Sequence, residues 1–141
     1  MTNKYCIELL QTGSEALADL LFTGVNAAAQ QTKGMQPMQG FSLAVKDATD
    51  QIVGGANGVI YYGCLYVDML WIDKAARDLG IGSRLMQKAE ELARQNKATF
   101  ATVNTMDWEA LKFYQKLGYE VEFTREGYDK DSKMFMLRKA L

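Results

Sequence analysis

The stretch Arg77-Asp78-Leu79-Gly80-Ile81-Gly82-Ser83-Arg84-Leu85-Met86 decides how this chain folds. It follows an apolar, strand-like run over residues 65–72, and it opens a helical pattern. Its two glycines let a ligand come close to the backbone, because glycine has no Cβ atom. We expect the amides of Leu79 to Ser83 at the first turn of the helix, without intrahelical partners and at the positive end of the helix dipole. The stretch therefore predicts an anion site suited to phosphate, with Arg77 as a second ligand.

A short glycine-rich turn has other interpretations. It is not a P-loop, because no Gly-Lys-Ser/Thr follows, and it lacks the third glycine and the βαβ unit of a dinucleotide site. A tight strand-to-helix turn, whose glycines serve backbone geometry alone, stays open at this point. The remainder of the chain has to decide between a ligand site and a plain turn.

The composition indicates a single domain over residues 1–141. A chain that is 48% hydrophobic and 23% charged can bury a core, and its net charge of −1 gives no basic excess for nucleic acid. No apolar run is long enough to span a membrane, and the N-terminus lacks the layout of a secretory signal. Two cysteines are too few for a disulfide scaffold, so we expect a cytoplasmic protein.

The chain contains no histidine. This absence excludes Ser-His-Asp and Cys-His catalysis, a histidine general base and imidazole zinc sites. No metal is expected. If the protein is an enzyme, its proton transfers use carboxylate, tyrosine, lysine, cysteine or water.

Hydrophobic periodicity predicts the element order β-α-βββ-α-β-α-ββ. Ser14 is a plausible cap for the first helix, Gly24 allows that helix to be two short pieces, and residues 30–40 read as a loop. The middle three strands form an antiparallel meander, and the strands on either side of the second helix are expected to run parallel. The predicted strands cover residues 5–10, 41–46, 52–61, 64–72, 99–103, 119–124 and 133–137, and the second and third helices cover residues 79–95 and 107–116.

Two separated motifs in this order resemble the Gcn5-related N-acetyltransferase (GNAT) family. Arg-x-x-Gly-x-Gly over residues 77–82 resembles the family's acyl-CoA signature. Phe113-Tyr114-Gln115-Lys116-Leu117-Gly118-Tyr119 resembles the Phe-Tyr-x-x-x-Gly-Phe/Tyr segment near the family's C-terminus. The resemblance covers nearly the whole chain. It implies an α/β (α+β) acyl-CoA N-acyltransferase fold, whose central, mixed and mostly antiparallel twisted sheet is flanked by helices.

The resemblance also implies an activity. The expected protein is an acetyl-CoA-dependent N-acetyltransferase, without a metal, that moves an acetyl group to a primary amine of a small molecule or peptide by direct transfer in a ternary complex. The alternative is a coenzyme-A-binding regulatory module of the same fold without turnover. Similar acetyltransferases often form homodimers, and the C-terminal strands offer an edge for one.

The resemblance assigns roles to particular residues. Tyr114 is the general acid, although a tyrosine of an amphipathic helix could equally pack its ring and leave its hydroxyl in water. Asp68 is the base, where similar polyamine acetyltransferases carry a glutamate, or else it faces solvent or pairs with a lysine. Asn104 reaches the acceptor or closes a turn. The expected coenzyme contacts are Leu70, Trp71, Ile72, Arg77, Asp78, Leu79, Gly80, Ile81, Gly82 and Ser83, with a backbone N–H near residues 70–72 polarising the thioester carbonyl.

The chain departs from the family pattern at three positions. Lys74 stands where many members have proline, and Asp78 stands where many have glycine. Asp78 places a negative charge near the phosphates and is expected to weaken coenzyme binding. Asp107 replaces a common asparagine, which puts a side-chain contact from that position to the coenzyme in doubt.

Overall fold

A computed structural model describes residues 4–141. The chain divides into two units, Met1–Pro37 and Met38–Leu141. The first unit contains helix α1, Glu15–Lys33. Ser14 caps it as predicted, because its side-chain oxygen accepts a hydrogen bond from the Leu17 amide at 3.2 Å. Gly24 does not divide this helix. The helix ends at Gly34, whose φ of +66° lets its N–H bond back to the last turn.

The strand predicted for residues 5–10 is wrong. The structure assigns these residues to no strand. Their alternating apolar side chains satisfy the pattern of a strand, but a strand exists only through ladder hydrogen bonds to a neighbour. The loop predicted for residues 30–40 is also too long, because α1 continues to Lys33 and the next strand begins at Gln39.

The second unit is built on one mixed sheet of six strands in the order β1-β2-β3-β4-β6-β5. The predicted antiparallel meander of β1 to β3 and the parallel pairing of β3 with β4 are confirmed. Among residues 4–141, no helix is long and apolar enough to cross a membrane. The strands are β1 Gln39–Lys46, β2 Ile52–Tyr61, β3 Cys64–Ile72, β4 Phe100–Met106, β5 Glu120–Tyr128 and β6 Ser132–Ala140; the helices are α2 Ile81–Gln95 and α3 Leu111–Lys116, with 3₁₀ turns at Lys74–Ala76 and Asp129–Asp131.

The third predicted helix is shorter than expected. Asp107 does not cap it, because residues 107–110 form a turn and α3 begins only at Leu111. That turn is held by two side chains: the Glu109 carboxylate accepts from the Met106 amide at 2.9 Å, and the Thr105 hydroxyl oxygen accepts from the Ala110 amide at 3.1 Å. These hydrogen bonds compete with helix formation over the same residues. Gly118 follows the end of the helix, with a φ of +99°.

Helix α2 packs its apolar face on the sheet. Met86, Ala89 and Ala93 are fully buried, together with Leu65 of β3 and Val103 of β4. The opposite face of α2 is polar and exposed, with Arg84, Gln87, Lys88, Glu91 and Gln95 in water. This packing fixes the start of α2 beside the end of β3, which is where the glycine-rich turn lies.

One charged residue of α2 lies inside this core. Glu90 is only 4% exposed, and its carboxylate accepts from the Tyr119 hydroxyl at 2.9 Å and from Lys139 Nζ at 2.8 Å. Glu90 also forms an i,i+4 ion pair with Arg94, at 3.7 Å. Both oxygens of the buried carboxylate are therefore compensated, as burial of a charge requires.

Two buried tyrosines make the fold sensitive to alkali. Burial raises the pKa of Tyr114 to about 12, and burial together with the Glu90 charge raises the pKa of Tyr119 still further. Above about pH 10 the unfolded chain loses these protons while the folded chain keeps them, so the free energy of unfolding falls as pH rises. The slope reaches about 1.4 kcal/mol per pH unit for each tyrosine. Urea unfolding at a series of alkaline pH values should show a shallower fall for Tyr114→Phe, and an unchanged slope would contradict this expectation.

Candidate active site

Strand β3 loses one of its two neighbouring strands halfway along its length. Its pairing with β2 joins Val67 to Gly58 and Met69 to Asn57, so Asp68 is the extra residue of a β-bulge. Its parallel pairing with β4 ends at Val67–Val103. Residues 68–72 therefore have no β4 partner on one side of the strand. Such a free edge can form hydrogen bonds with an extended molecule.

The glycine-rich turn lies beyond the end of this edge. Gly80 is the N-cap of α2, with a φ of +75° that favours glycine. Arg84 is the first residue of α2 whose amide bonds within the helix, to the Gly80 oxygen at 3.1 Å. The amides of Ile81, Gly82 and Ser83 thus have no intrahelical partner, as anion binding at a helix N-terminus requires. Leu79 lies outside the helix and is exposed.

Arg77 connects the glycine-rich turn to the edge of β3. Its Nε donates to the Ile72 carbonyl at 2.9 Å. Within residues 4–141 its two terminal nitrogens make no further hydrogen bond or ion pair. The guanidinium is thus held at the end of β3 while its outer donors stay available for an anion.

These features line one cleft of about 490 Å³. All the expected coenzyme contacts line it except Leu79. The sequence did not predict four further lining residues, although one of them, Phe113, belongs to the second motif and could have been found from it. The cleft is lined by Leu70, Trp71, Ile72, Ala76, Arg77, Asp78, Gly80, Ile81, Gly82, Ser83, Glu109, Ala110 and Phe113.

Helices α2 and α3 meet at Gly82. A Cβ atom at this position would lie 3.1 Å from Cζ of Phe113, which is closer than ordinary van der Waals contact. The missing side chain thus lets the Phe113 ring pack on the first turn of α2 and form one wall of the cleft. The two motifs that are separated in sequence adjoin here in space.

Tyr114 lies next to this wall, in the core cluster rather than in the cleft lining. Its ring packs edge-on against Phe113 and Tyr119, at centroid distances of 5.0 and 5.8 Å. Its hydroxyl makes no hydrogen bond within residues 4–141. Every side-chain oxygen of these residues that is fully enclosed does have a hydrogen-bond partner, so the Tyr114 oxygen is not among the fully enclosed ones. The phenol oxygen therefore keeps some access to solvent. Burial and the Glu109 charge raise its pKa to about 12, so the phenol carries its proton at neutral pH.

The other two predicted site residues lie where β3 and β4 separate. Asp68 is exposed in the bulge, and its carboxylate has no hydrogen bond or ion pair among the described residues. Asn104 follows the last β3–β4 pair, and its amide donates to the Tyr66 hydroxyl at 3.2 Å. Asn104 and Tyr66 line a separate hollow of about 210 Å³. Asp68 and Asn104 each follow the last paired residue of their strand, Val67 and Val103, and neither lines the main cleft.

The sequence profile of the acetyltransferase (GNAT) family matches residues 15–119. This chain belongs to the GNAT acetyltransferase family. A blasticidin-S acetyltransferase from Streptomyces morookaense is 32% identical over 107 residues, which are 75% of this chain and 79% of that protein. The cleft, the glycine-rich turn and both motifs therefore belong to a fold whose members transfer acetyl groups.

Solved GNAT structures have the same fold. A protein from Agrobacterium tumefaciens assigned as an acetyltransferase superposes with a TM-score of 0.81 at 22% identity, over 97% of this chain and all of that one. Another, assigned as a streptothricin acetyltransferase from Bacillus anthracis strain Ames, was solved in complex with acetyl coenzyme A. It superposes with a TM-score of 0.60 at 23% identity, over 65% of this chain and 57% of that one.

The departure at Asp78 has a structural consequence in this GNAT chain. Asp78 has a φ of +62°, the left-handed region that glycine enters without strain and aspartate tolerates better than most residues. Asp78 also lines the cleft, together with Ile81, Gly82 and Ser83. Among residues 4–141, no group of three or more potential ligands is placed to hold a metal ion that could neutralise it.

We therefore expect Asp78→Asn to bind acetyl-CoA about threefold to tenfold more tightly than the parent, because a repulsive charge near the phosphates is removed while the left-handed backbone is still tolerated. The gain should shrink as salt is added, since screening weakens the repulsion. Asp78→Gly removes both the charge and the strain, so it should match the asparagine variant in affinity and exceed it in stability. Titration calorimetry at two salt concentrations measures the effect. Equal affinity of parent and both variants would contradict it.

Proposed function

We propose that this chain is an acetyl-CoA-dependent N-acetyltransferase that passes the acetyl group directly to a primary amine within a ternary complex. The cleft supports this proposal most strongly, because it combines unpartnered helix amides, the free donors of Arg77 and an unpaired strand edge. Those three elements suit a pyrophosphate followed by an extended amide-containing chain. The complex of a GNAT neighbour with acetyl coenzyme A supports the choice of ligand.

In this proposal the coenzyme runs along the cleft. Its pyrophosphate accepts hydrogen bonds from the amides of Ile81 to Ser83 and from Arg77. Its pantetheine arm pairs with the free edge of β3 at residues 70–72, and a backbone N–H there polarises the thioester carbonyl. The acetyl group is then directed toward the bulge at Asp68.

The reaction needs three proton and charge events. The acceptor amine must lose a proton, the tetrahedral oxyanion must be stabilised, and the departing thiolate must gain a proton. Asp68 removes the amine proton through water, since its carboxylate is exposed at the separation of β3 and β4 and is unpaired within residues 4–141. Tyr114 protonates the thiolate, since its hydroxyl is protonated and solvent-accessible and has no other partner in the described part of the chain. Positioning of the two reactants contributes much of the remaining rate.

The acceptor amine enters on the side of Asp68 and Asn104. The named substrates of the relatives, blasticidin S and streptothricin, suggest an aminated small molecule of the antibiotic type. The Asn104 amide and the Tyr66 hydroxyl supply uncharged hydrogen-bonding groups for such a molecule.

A thiol-release assay with acetyl-CoA and an amine panel tests the proposal. The panel should contain blasticidin S, streptothricin, polyamines, amino acids and a short peptide. We expect free coenzyme A to appear only with one class of amine, and in proportion to the acetylated product. Coenzyme binding without release against any amine would instead identify the regulatory module.

We also propose that the whole chain acts as one cytoplasmic domain that forms a homodimer. Strand β5 lies at an edge of the sheet and exposes Val121 and Phe123, so it offers both hydrogen-bonding groups and apolar surface to a second copy. Light scattering at micromolar concentration should give a dimer mass, and Phe123→Lys should lower it. A monomer mass for the parent would end this part of the proposal.

A further inference from the structure

Among residues 4–141, the Tyr114 hydroxyl makes no hydrogen bond that would hold it in place. Its orientation is therefore set by packing alone, between the rings of Phe113 and Tyr119. Phe113 rests on Gly82 at the wall of the cleft, so one side of Tyr114 is fixed by the coenzyme site itself. The other side depends on how firmly Tyr119 is held.

Tyr119 is held by hydrogen bonds at both of its ends. It is 1% exposed, its amide donates to the Tyr114 carbonyl at 3.1 Å, and its hydroxyl donates to Glu90 Oε2 at 2.9 Å. Glu90 is fixed in turn, because its other oxygen accepts from Lys139 Nζ at 2.8 Å. A continuous set of contacts thus runs from β6 through α2 to the ring of Tyr114.

The buried Glu90–Lys139 pair is an inefficient source of folding stability. A buried ion pair loses its hydration, and apolar residues of similar size often stabilise a core at least as well. A phenylalanine at position 119 would also preserve the ring contact with Tyr114. The buried carboxylate therefore serves to fix the orientation of the Tyr119 ring through a directional hydrogen bond. Apolar packing alone would define that orientation less strictly.

We propose that Glu90 and Tyr119 are positioning residues that hold the Tyr114 phenol at the geometry needed for proton transfer to the leaving thiolate. The inference rests on the role proposed above for Tyr114 as general acid. Neither residue touches a reacting atom; the Glu90 carboxylate fixes Tyr119, and the Tyr119 ring fixes Tyr114. A displacement of about 1 Å at a reacting group can cost about 10²-fold in rate, so loss of one hydrogen bond in this set is sufficient for a measurable effect.

The test is a double-mutant cycle on the turnover number. Tyr119→Phe removes one hydroxyl and keeps the ring, and we expect it to lower kcat about tenfold without changing KM for acetyl-CoA. Glu90→Gln should act in the same direction. Glu91→Gln is the matched control, because Glu91 is the adjacent carboxylate on the exposed face of α2, where it pairs with Lys88 at 4.0 Å. All assays are run well below the measured melting temperature of each variant.

The cycle separates positioning from a structural role. If Tyr119 acts through Tyr114, Tyr119→Phe should have no further effect on kcat in a Tyr114→Phe background. Additive losses in that background, or an unchanged kcat for Tyr119→Phe alone, would overturn the inference while leaving the Tyr114 assignment intact. An unchanged kcat for Tyr114→Phe alone would overturn the acid assignment and this inference with it. The three results are distinct, and Tyr119→Phe gives the answer even where Glu90→Gln fails to fold.

Discussion

Tyr114→Phe is expected to lower turnover by about 10²–10⁴-fold, the range that a positioned general acid contributes. The substitution removes one hydroxyl and leaves the ring between Phe113 and Tyr119, so packing changes little. Affinity for acetyl-CoA should stay nearly the same, because the proposed proton transfer stabilises the departing thiolate and not the bound thioester. The thiolate would then have to leave without its proton donor.

Tyr128→Phe is the matched control for this variant. Tyr128 is a half-buried tyrosine of β5 whose hydroxyl contacts the Met134 sulfur, away from the cleft. It should keep parental turnover. If Tyr114→Phe also keeps parental turnover, with the chemical step shown to limit the rate, Tyr114 is not the acid.

Asp68→Asn should lose most activity at low pH and recover at higher pH, where free amine accumulates. A pH–rate profile equal to that of the parent would exclude Asp68 as the base.

Gly82→Val is expected to abolish detectable acetyl-CoA binding. A Cβ atom added at this position would lie 3.1 Å from Cζ of Phe113. The two methyl groups of valine would then displace the Phe113 ring from the cleft wall, or block the approach of the pyrophosphate to the amides. The helix itself should survive, since valine lowers helix propensity by only about 0.5 kcal/mol relative to better helix formers.

Gly24→Val is the matched control, because it makes the same glycine-to-valine change inside a helix but away from the glycine-rich turn. Gly24 lies in α1, and a Cβ there meets nothing within 4 Å. Calorimetry should show parental coenzyme affinity for Gly24→Val and none for Gly82→Val, while circular dichroism shows a folded protein in both cases. Measurable binding by Gly82→Val at parental affinity would mean that the phosphates do not lie on this turn.

Local signals predicted much of the second unit. Strands β2 and β3 have the predicted bounds because turn residues end them on both sides. Asp47 illustrates this, since its carboxylate accepts from the Thr49 and Gln51 amides at 2.8 and 3.0 Å. The glycine-rich turn and the apolar face of α2 were likewise encoded within a few residues of each other.

Features that depend on distant partners were not predictable. The bulge at Asp68 arises from a one-residue shift against β2, which the nearly continuous apolar run of β3 does not reveal. Glu90 has the sequence context of an ordinary surface carboxylate, and its burial depends on Tyr119 and Lys139, which are 29 and 49 residues away. The segment over residues 5–10 has the alternating pattern of a strand, yet the structure assigns it to no strand. Long-range pairing, rather than propensity, decides each of these cases.

The central claim is that the acetyl group passes directly from acetyl-CoA to an amine. The most direct measurement follows acetyl-labelled acetyl-CoA incubated with the protein, first without an amine and then with the best amine of the panel. We expect no labelled protein and little free acetate in the first incubation. In the second, labelled amide and free coenzyme A should appear in equal amounts. Label retained on the protein, or coenzyme A released at the same rate with and without the amine, would contradict direct N-acetyl transfer.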